Sequence, residues 1–381
     1  MRGFVQSEFE LRTQKAQAMM AEQGLSALLL TTEPDVRYFT GYLTRFWESP
    51  CRPWYLIVPA QGKPVAVIPS IGGVLMRKTW IDDVRTWRAP NMQDDGVALL
   101  TEALREIAPD GRIGTPDGMQ SHLRMPLSNL HEMLGNLGID RLLSDGGIIR
   151  KLRMVKSEAE IAKVRHACQI AARAFERMGE IAKAGVPTSQ VFRQFQMLCL
   201  DEGADWVPYL AGGVGPMGYD DVISPASENP LRDGDIIMLD TGLVFDGYFC
   251  DYDRNFGITH VDPAVQSAWH KLMDATQVGM EAGRPGATAE DVFMAMDKVV
   301  TGGKGIGDTG RLGHGLGMQL TELPSLIAGD HTVLEEGMIL TLEPSIVIAN
   351  GGVIVHEDNY VVRANGLEPL SPLPPADIRV L

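Results

Sequence analysis

Acidic residues recur in this chain at positions where an apolar strand pattern would bury them, and a buried carboxylate calls for a cation. The stretch 235–255, DIIMLDTGLVFDGYFCDYDRN, opens as an apolar β-rich run, breaks at Asp246-Gly247 and resumes as Tyr248-Phe249-Cys250. A two-residue Asp-Gly loop between apolar runs signals a hairpin, because the tight primed turn needs residues that tolerate positive φ. With that turn, Asp240 faces Asp253 and Gly242 faces Asp251, so Asp240, Asp251 and Asp253 share one face. Carboxylates gathered beside an apolar strand pair are costly unless something cationic sits among them. A metal ion answers that need; the plainer alternative is the solvated face of an edge hairpin.

Three later stretches add donors. In RLGHGLG, residues 311–317, His314 is framed by glycines, which lets the backbone approach closely and leaves the imidazole accessible. A flexible glycine turn is the alternative there. In GMILTLEP, Glu343 ends an apolar run. The third stretch is a hairpin expected over 345–362, turned at Asn350-Gly351-Gly352, with His356-Glu357-Asp358 on its return strand. Spacing leaves open whether Glu357 or Asp358 faces Glu343. Together these segments supply acidic groups and one histidine, a donor set suited to one or two hard divalent ions.

These residues need a scaffold. At 381 residues the chain exceeds one ordinary core, so two domains are expected. Apolar content of 45% with 22% charged residues describes a globular protein, and no apolar run reaches membrane-spanning length. The N-terminal stretch lacks a signal-peptide core, which points to the cytoplasm. Cys51, Cys168, Cys199 and Cys250 lack pair spacing, so no disulfide framework or zinc knuckle is expected. A net charge of −15 argues against nucleic acid or an anionic membrane as partner.

Helix 8–23, strands at 27–30, 55–58 and 64–68, and helices near 96–107 and 124–136 alternate as an α/β unit to about residue 150. Between them, Arg45, Phe46, Trp47, Arg52 and Trp54 gather on one loop, as an interface, a substrate wall or a locally packed loop. Ser157-Glu158-Ala159-Glu160 is a capping box opening a long helix, whose stripe Ile161, Val164, Cys168, Ala171, Phe175 and Met178 faces a core. His166 lies off that stripe and is expected at the surface. An internal echo follows: AGVPT (184–188) and AGRPGAT (282–288) each lead into a helix bearing Val-Phe, with Thr188 and Thr288 expected as N-caps. Two similar halves packed around a shared sheet are implied.

LDTG followed by DYDR, then GHGLG, TLEP and HED resemble, in order, the motifs of the pita-bread metallopeptidases, in the branch of aminopeptidase P, prolidase and creatinase. More loosely, VRYFTGY resembles the N-terminal domain of that branch, and MVKSEAEIAKVR resembles its interdomain join. The resemblance implies an α/β N-terminal domain over 1–153 and a pita-bread domain with pseudo-twofold symmetry over 154–381. It implies metal ligands Asp240, Asp251, His314, Glu343 and Glu357 around two divalent ions, manganese first, with cobalt, zinc or iron as alternatives. Asp251 and Glu357 would bridge the ions around a hydroxide, and Glu343 and His314 would be the catalytic groups. Thr321, Tyr219, Asp221, His356 and Trp47 are expected substrate contacts; Asp253 and Asp358 would support the ligands, and Arg254 would orient carboxylates. The partners implied are a small-molecule or short-peptide substrate and a second copy of the chain.

Departures from the family pattern bear on the substrate. Thr321 and Ile223 stand where its peptidases carry histidines, and Val355 and His356 where an arginine often precedes the last glutamate. From the matching motifs, an Xaa-Pro dipeptidase or aminopeptidase is the first expectation. A non-peptidase relative is the second: an ectoine hydrolase-like or creatinase-like amide hydrolase, or a dimethylsulfoniopropionate lyase-like enzyme. A non-catalytic binding module is the third.

Overall fold

The computed structural model describes residues 2–48, 52–305, 310–348 and 351–381. The chain divides into two compact units, Met1–Arg153 and Met154–Leu381.

In the first unit, short β-branched and leucine-rich runs form a mixed six-stranded sheet. Its order is Asp83–Trp87, Val65–Pro69, Tyr55–Pro59, Ala27–Leu30, Ile113–Thr115, Leu142–Ser144. Ala27–Leu30 is buried along its whole length, as a central strand covered on both faces must be. Leu100 and Leu104 of helix Val97–Ile107 and Met133 of helix Leu127–Leu137 pack on Leu29, Tyr55, Ile57 and Val67.

The arginine and aromatic loop of this unit closes on itself. Trp47 and Trp54 are 7% and 1% exposed, with ring centroids 5.4 Å apart. Tyr42 tilts onto Trp54, and the Arg124 guanidinium lies 5.2 Å from the Trp47 ring. The expectation that Trp47 contacts substrate is corrected: of the alternatives for this loop, local packing is the one observed, and Trp47 is a core residue of this unit. Residues 49–51, including Cys51, lie outside the described residues; Cys168, Cys199 and Cys250 are free and buried.

The second unit is built twice over. Its first half places helices Glu158–Glu176 and Thr188–Asp201 against strands Trp206–Gly215, Ile236–Phe245 and Tyr252–Gly257, with Arg379–Val380 at the edge. The second half places helices Pro263–Ala282 and Ala289–Val300 with strands His314–Gly315, Glu322–Ser325, Ile339–Leu342, Asp358–Arg363 and Gly366–Pro369. The echo in sequence is an echo in hydrogen bonding. Gly185 N–H donates to Leu231 O and Leu231 N–H to Val186 O; a hundred-odd residues on, Gly286 N–H donates to Leu334 O and Leu334 N–H to Ala287 O. Each half carries its own sheet.

The caps differ between the halves. Thr288 is an N-cap with a full capping box to Asp291. Thr188 is instead the first helical residue, behind Pro187, and its hydroxyl donates to Ser227 O. That cap expectation is corrected; the proline before Thr188 already sets the extended entry the cap residue needs. Ser157 caps its helix with the expected box, and His166 is exposed.

Candidate metal centre

The first two acidic residues are positioned by the expected hairpin. Asp246 and Gly247 both have positive φ, 49° and 80°, and Phe245 pairs with Tyr248 across them. The register carries down the ladder to Asp240 opposite Asp253. Tyr209, on the neighbouring strand, donates its hydroxyl to Asp240 Oδ2 at 2.9 Å, while Asp240 Oδ1 is buried with no hydrogen-bond partner among the described residues. Asp251 is anchored through its backbone: its N–H donates to Asn359 Oδ1 at 3.0 Å, and Asn359 Nδ2 donates back to its carbonyl.

His314 sits in a strand that only glycines allow. A Cβ on Gly313 would come within 2.3 Å of Thr341 O, and one on Gly315 within 2.4 Å of Leu323 O. Gly313 also holds φ at 148°, a region that penalises side chains. The backbones therefore close in, and His314 N–H reaches Thr341 Oγ1 at 3.1 Å. The imidazole is 2% exposed, and Nδ1 lies 2.8 Å from Gly315 O. A carbonyl can only accept, so Nδ1 carries the proton and Nε2 presents its lone pair. Burial depresses the imidazole pKa, with Glu343 opposing, which keeps the ring neutral.

That lone pair faces carboxylates on three sides. Nε2 is 3.4 Å from Asp251 Oδ2, 3.9 Å from Glu343 Oε2 and 3.9 Å from Glu357 Oε1. Asp251, His314 and Glu357 each offer a donor atom within 4.8 Å of the others, all three buried. The open question of the last strand is settled by register. Leu342 pairs with Asp358 and Ser345 with Val355, which puts Glu357 opposite Glu343 and turns Asp358 to the other face. Asn350 of the expected turn lies outside the described residues.

Electrostatics mark the cluster as incomplete by itself. Burial pushes up the pKa of Asp240, Asp251, Glu343 and Glu357. Asp251 adds to the shift at Asp240 and Glu357, whereas His314 and Arg311 pull Glu343 down only in part. Glu357 Oε1, like Asp240 Oδ1, is buried without a hydrogen-bond partner among the described residues. Unpaired carboxylate oxygens around a neutral imidazole lone pair fit divalent cations, and fit little else.

The substrate contacts expected from sequence fare unevenly. Thr321 is half-buried beside the cluster, its hydroxyl accepting from Arg311 Nη2 at 3.2 Å. Tyr219 is 1% exposed; its hydroxyl accepts from Val355 N–H at 2.7 Å and lies 3.3 Å from Asn255 Oδ1. It ties strand to hairpin, so direct substrate contact is corrected. His356 is fully buried, 2.9 Å from Asp358 Oδ2 and 3.7 Å from Asp253 Oδ1, and that expectation is corrected too. Asp221 is exposed in its own turn, accepting from Ile223 N–H and the Ser224 hydroxyl, and with Tyr219 and Asp220 it lines a separate cavity of about 440 Å³. Ile223 itself is exposed. Arg254 binds Asp358 Oδ1 at 2.9 Å and also donates to backbone carbonyls.

Sequence reasoning missed Arg311, Tyr209 and Asn359. Arg311 Nε donates to Glu343 Oε1 at 3.1 Å, and its place three residues before His314 was the available signal. Tyr209 and Asn359 act across ladders whose pairing no local pattern encodes.

The model of metallopeptidase family M24 matches residues 162–364, and that of the creatinase/prolidase N-terminal domain matches 12–155. The chain is similar to a probable dipeptidase, PepE, of Mycobacterium tuberculosis, 29% identical over 96% of this chain and 95% of the relative. It is also similar to an Xaa-Pro dipeptidase of Pyrococcus horikoshii, 24% identical over 94% and 96%. In structure it is similar to dipeptidase PepE from Mycobacterium ulcerans, with a TM-score of 0.85 and 27% identity over 99% of both chains. The prolidase from Pyrococcus horikoshii OT3, at TM-score 0.80 and 22% identity over 96% and 99%, shares the fold. With a family model covering more than half of its length, this chain belongs to metallopeptidase family M24, in the prolidase and aminopeptidase P branch, and is by class a metal-dependent peptidase.

Proposed function

We propose that this chain is a dinuclear metal-dependent peptidase of the Xaa-Pro dipeptidase or aminopeptidase kind, acting on short peptides, with Asp240, Asp251, His314, Glu343 and Glu357 as ligands. One observation carries the reading: a buried, neutral imidazole turns its Nε2 lone pair toward Asp251, Glu343 and Glu357. Relatives named dipeptidase and Xaa-Pro dipeptidase, aligned along nearly the whole chain, support the substrate class.

Divalent ions held there, manganese first by the oxygen-rich donor set, supply Lewis acidity toward water and toward the scissile carbonyl. The chain's own groups do the rest. Gly315 O and Thr341 Oγ1 lock His314 in one tautomer and one orientation. Tyr209 fixes Asp240, and Asn359 fixes the backbone of Asp251. Glu343 is the proton carrier. Its side chain is 19% exposed and Arg311 holds Oε1, which sets a carboxylate at the solvent edge of the cluster, where it can take and return a proton.

A second reading, a small-amide hydrolase or a lyase on the same ligands, is favoured by one feature. Beside the cluster, Thr321 offers a hydroxyl already engaged by Arg311, where the family resemblance leads one to expect a histidine. The test is metal content by mass spectrometry, joined to assays with Xaa-Pro dipeptides, other dipeptides, Xaa-Pro tripeptides and small amides after manganese loading. Two ions per chain with peptide turnover is the expected result. Metal without peptide turnover, but with small-amide turnover, would install the second reading. A chain that binds no divalent ion would end both.

A further inference from the structure

Asp251 and Glu357, the carboxylates expected to bridge the ions, sit at matching interruptions of the fold. Asp251 falls between strands Tyr248–Phe249 and Tyr252–Gly257, and Glu357 between Val353–Val355 and Asp358–Arg363. An interrupted ladder leaves buried main-chain groups that something else must satisfy.

At Asp251 the need follows from register. Val244 pairs with Phe249 and Thr241 with Tyr252, which places Asp251 opposite Gly242. Cys250 N–H donates to Leu243 O, so that pair is hydrogen-bonded and the next one along is not. The N–H and C=O of Asp251 therefore point away from Gly242, to the other side of the hairpin. The strand on that side, Arg379–Val380, pairs at Phe256 and Gly257, well beyond Asp251. Asp251 is 4% exposed, so water does not cover these groups either.

Asn359 answers both. Asp251 N–H donates to Asn359 Oδ1 at 3.0 Å, and Asn359 Nδ2 donates to Asp251 O. Among short side chains, only the asparagine amide carries a donor and an acceptor side by side, as a peptide group does. The Cys168 thiol, from helix Glu158–Glu176, donates to the same Oδ1 at 3.2 Å and takes up its second lone pair. Asn359 and Cys168 are both fully buried. Since Asn359 stands two residues beyond Glu357, this one amide links the backbones of both bridging carboxylates across the two halves. The link is returned from the first half, where Arg254, three residues beyond Asp251, donates Nη1 to Glu357 O at 3.4 Å.

We propose that Asn359, oriented by Cys168, is a clasp between the halves that sets the spacing of Asp251 and Glu357 and thereby the affinity for a metal pair. It is a positioning residue, acting through the main chain of Asp251 rather than on its carboxylate. The inference rests on the ligand assignment proposed above. The rival account is that the amide only satisfies a buried main chain. In that case its loss weakens the fold and leaves metal binding by the folded chain unaltered.

The full chain, stripped of metal, is titrated with manganese by calorimetry, and electron paramagnetic resonance follows the coupling between the bound ions. The proteins are the parent, Asn359→Leu, Cys168→Ala and Cys168→Ser, each held well below its own melting temperature and checked for fold by circular dichroism. The parent is expected to bind two ions with the spectrum of an exchange-coupled pair. Asn359→Leu, close in shape but without donor or acceptor, should bind the pair roughly 10- to 100-fold more weakly, the usual effect of removing a group behind a metal ligand. The six-line signal of isolated manganese should replace the coupled spectrum. Cys168→Ala should show a smaller loss of the same sign, and Cys168→Ser, which keeps a donor, should restore parental affinity. A folded Asn359→Leu with a lowered metal-free melting temperature but parental affinity and coupling would overturn the clasp and leave the ligand assignment standing. If Asn359→Leu does not fold, the Cys168 variants decide, and equal affinities across parent, alanine and serine forms would likewise overturn it. A parent that holds fewer than two ions would overturn the dinuclear reading, and the clasp with it.

Discussion

His314 Nε2 lies 3.4 Å from Asp251 Oδ2, although 63 residues separate them and no bond holds them together. With its proton on Nδ1 against Gly315 O, the imidazole turns a lone pair toward a buried carboxylate, an arrangement that is repulsive unless a cation intervenes. Asp251→Asn replaces that repulsion with an amide N–H facing the lone pair. The metal-free variant should be more stable than the metal-free parent by about 1–3 kcal/mol, the penalty range of an unsatisfied buried group. Manganese should no longer raise its melting temperature, and peptide turnover should vanish. Thermal scans with and without manganese decide it: a lower melting temperature without metal, together with retained metal stabilisation, would contradict the ligand assignment.

The pH dependence of the metal-free protein follows from the same cluster. Burial raises the folded-state pKa of Asp240, Asp251, Glu343 and Glu357. Across the interval between unfolded and folded values, the folded protein binds more protons, so unfolding free energy falls as pH rises. Stability of the metal-free chain should be highest below the unfolded carboxylate range near pH 4 and decline on going to neutral pH. Bound divalent ions displace those protons and should reverse the slope. Calorimetric titration in buffers of different ionisation enthalpy should register proton release on metal binding. Metal uptake without proton release would show the carboxylates ionised beforehand.

Glu343 differs from the other ligand carboxylates in reaching the rim, where Arg311 meets it. Glu343→Gln keeps a carbonyl oxygen for Arg311 and removes the proton carrier. Turnover should fall roughly 10²- to 10⁴-fold, the usual contribution of a positioned acid–base group. The acid limb of the pH–rate profile should change with it, since the ionisation of a proton carrier shapes that limb. Circular dichroism should match the parent. A variant of near-parental rate would move the proton-carrying role elsewhere.

What could be read in the sequence was what local rules encode. The Asp246-Gly247 turn fixes its own register, and with it the pairing of Asp240 with Asp253. The glycines around His314 announce close backbone packing, which the Thr341 and Leu323 carbonyls confirm. The capping box at Ser157 is local and was legible in full. Glu357 against Asp358 was not, because three consecutive polar residues show no alternation; only the ladder running from Leu342–Asp358 to Ser345–Val355 tells them apart. Tyr219 and His356 looked like reachable polar groups, since their partners Val355, Asn255, Asp253 and Asp358 come from distant segments. Trp47 looked like a substrate contact for the same reason: its packing against Trp54 is not visible to any reading by position.

His356 gives the sharpest contrast between support and substrate contact. It is fully buried, with Asp358 on one side, Asp253 on the other and the Trp269 ring edge-on at 5.2 Å. Burial opposes its charge, yet Asp358 and then Asp253 outweigh that and hold its pKa up. The two aspartates therefore favour its protonated form, which in turn offsets their charge directly behind Glu357. His356→Ala leaves Asp253 without its nearest positive group, whereas Asp358 keeps Arg254 and the Ser371 hydroxyl. Breaking a buried pair from one side costs about 3–5 kcal/mol, which should appear as a shift of the denaturation midpoint at unchanged slope. The fraction that remains folded should bind dipeptide with a parental KM, because no atom of His356 reaches solvent. A large KM change with stability intact would restore His356 to the substrate side and overturn this assignment.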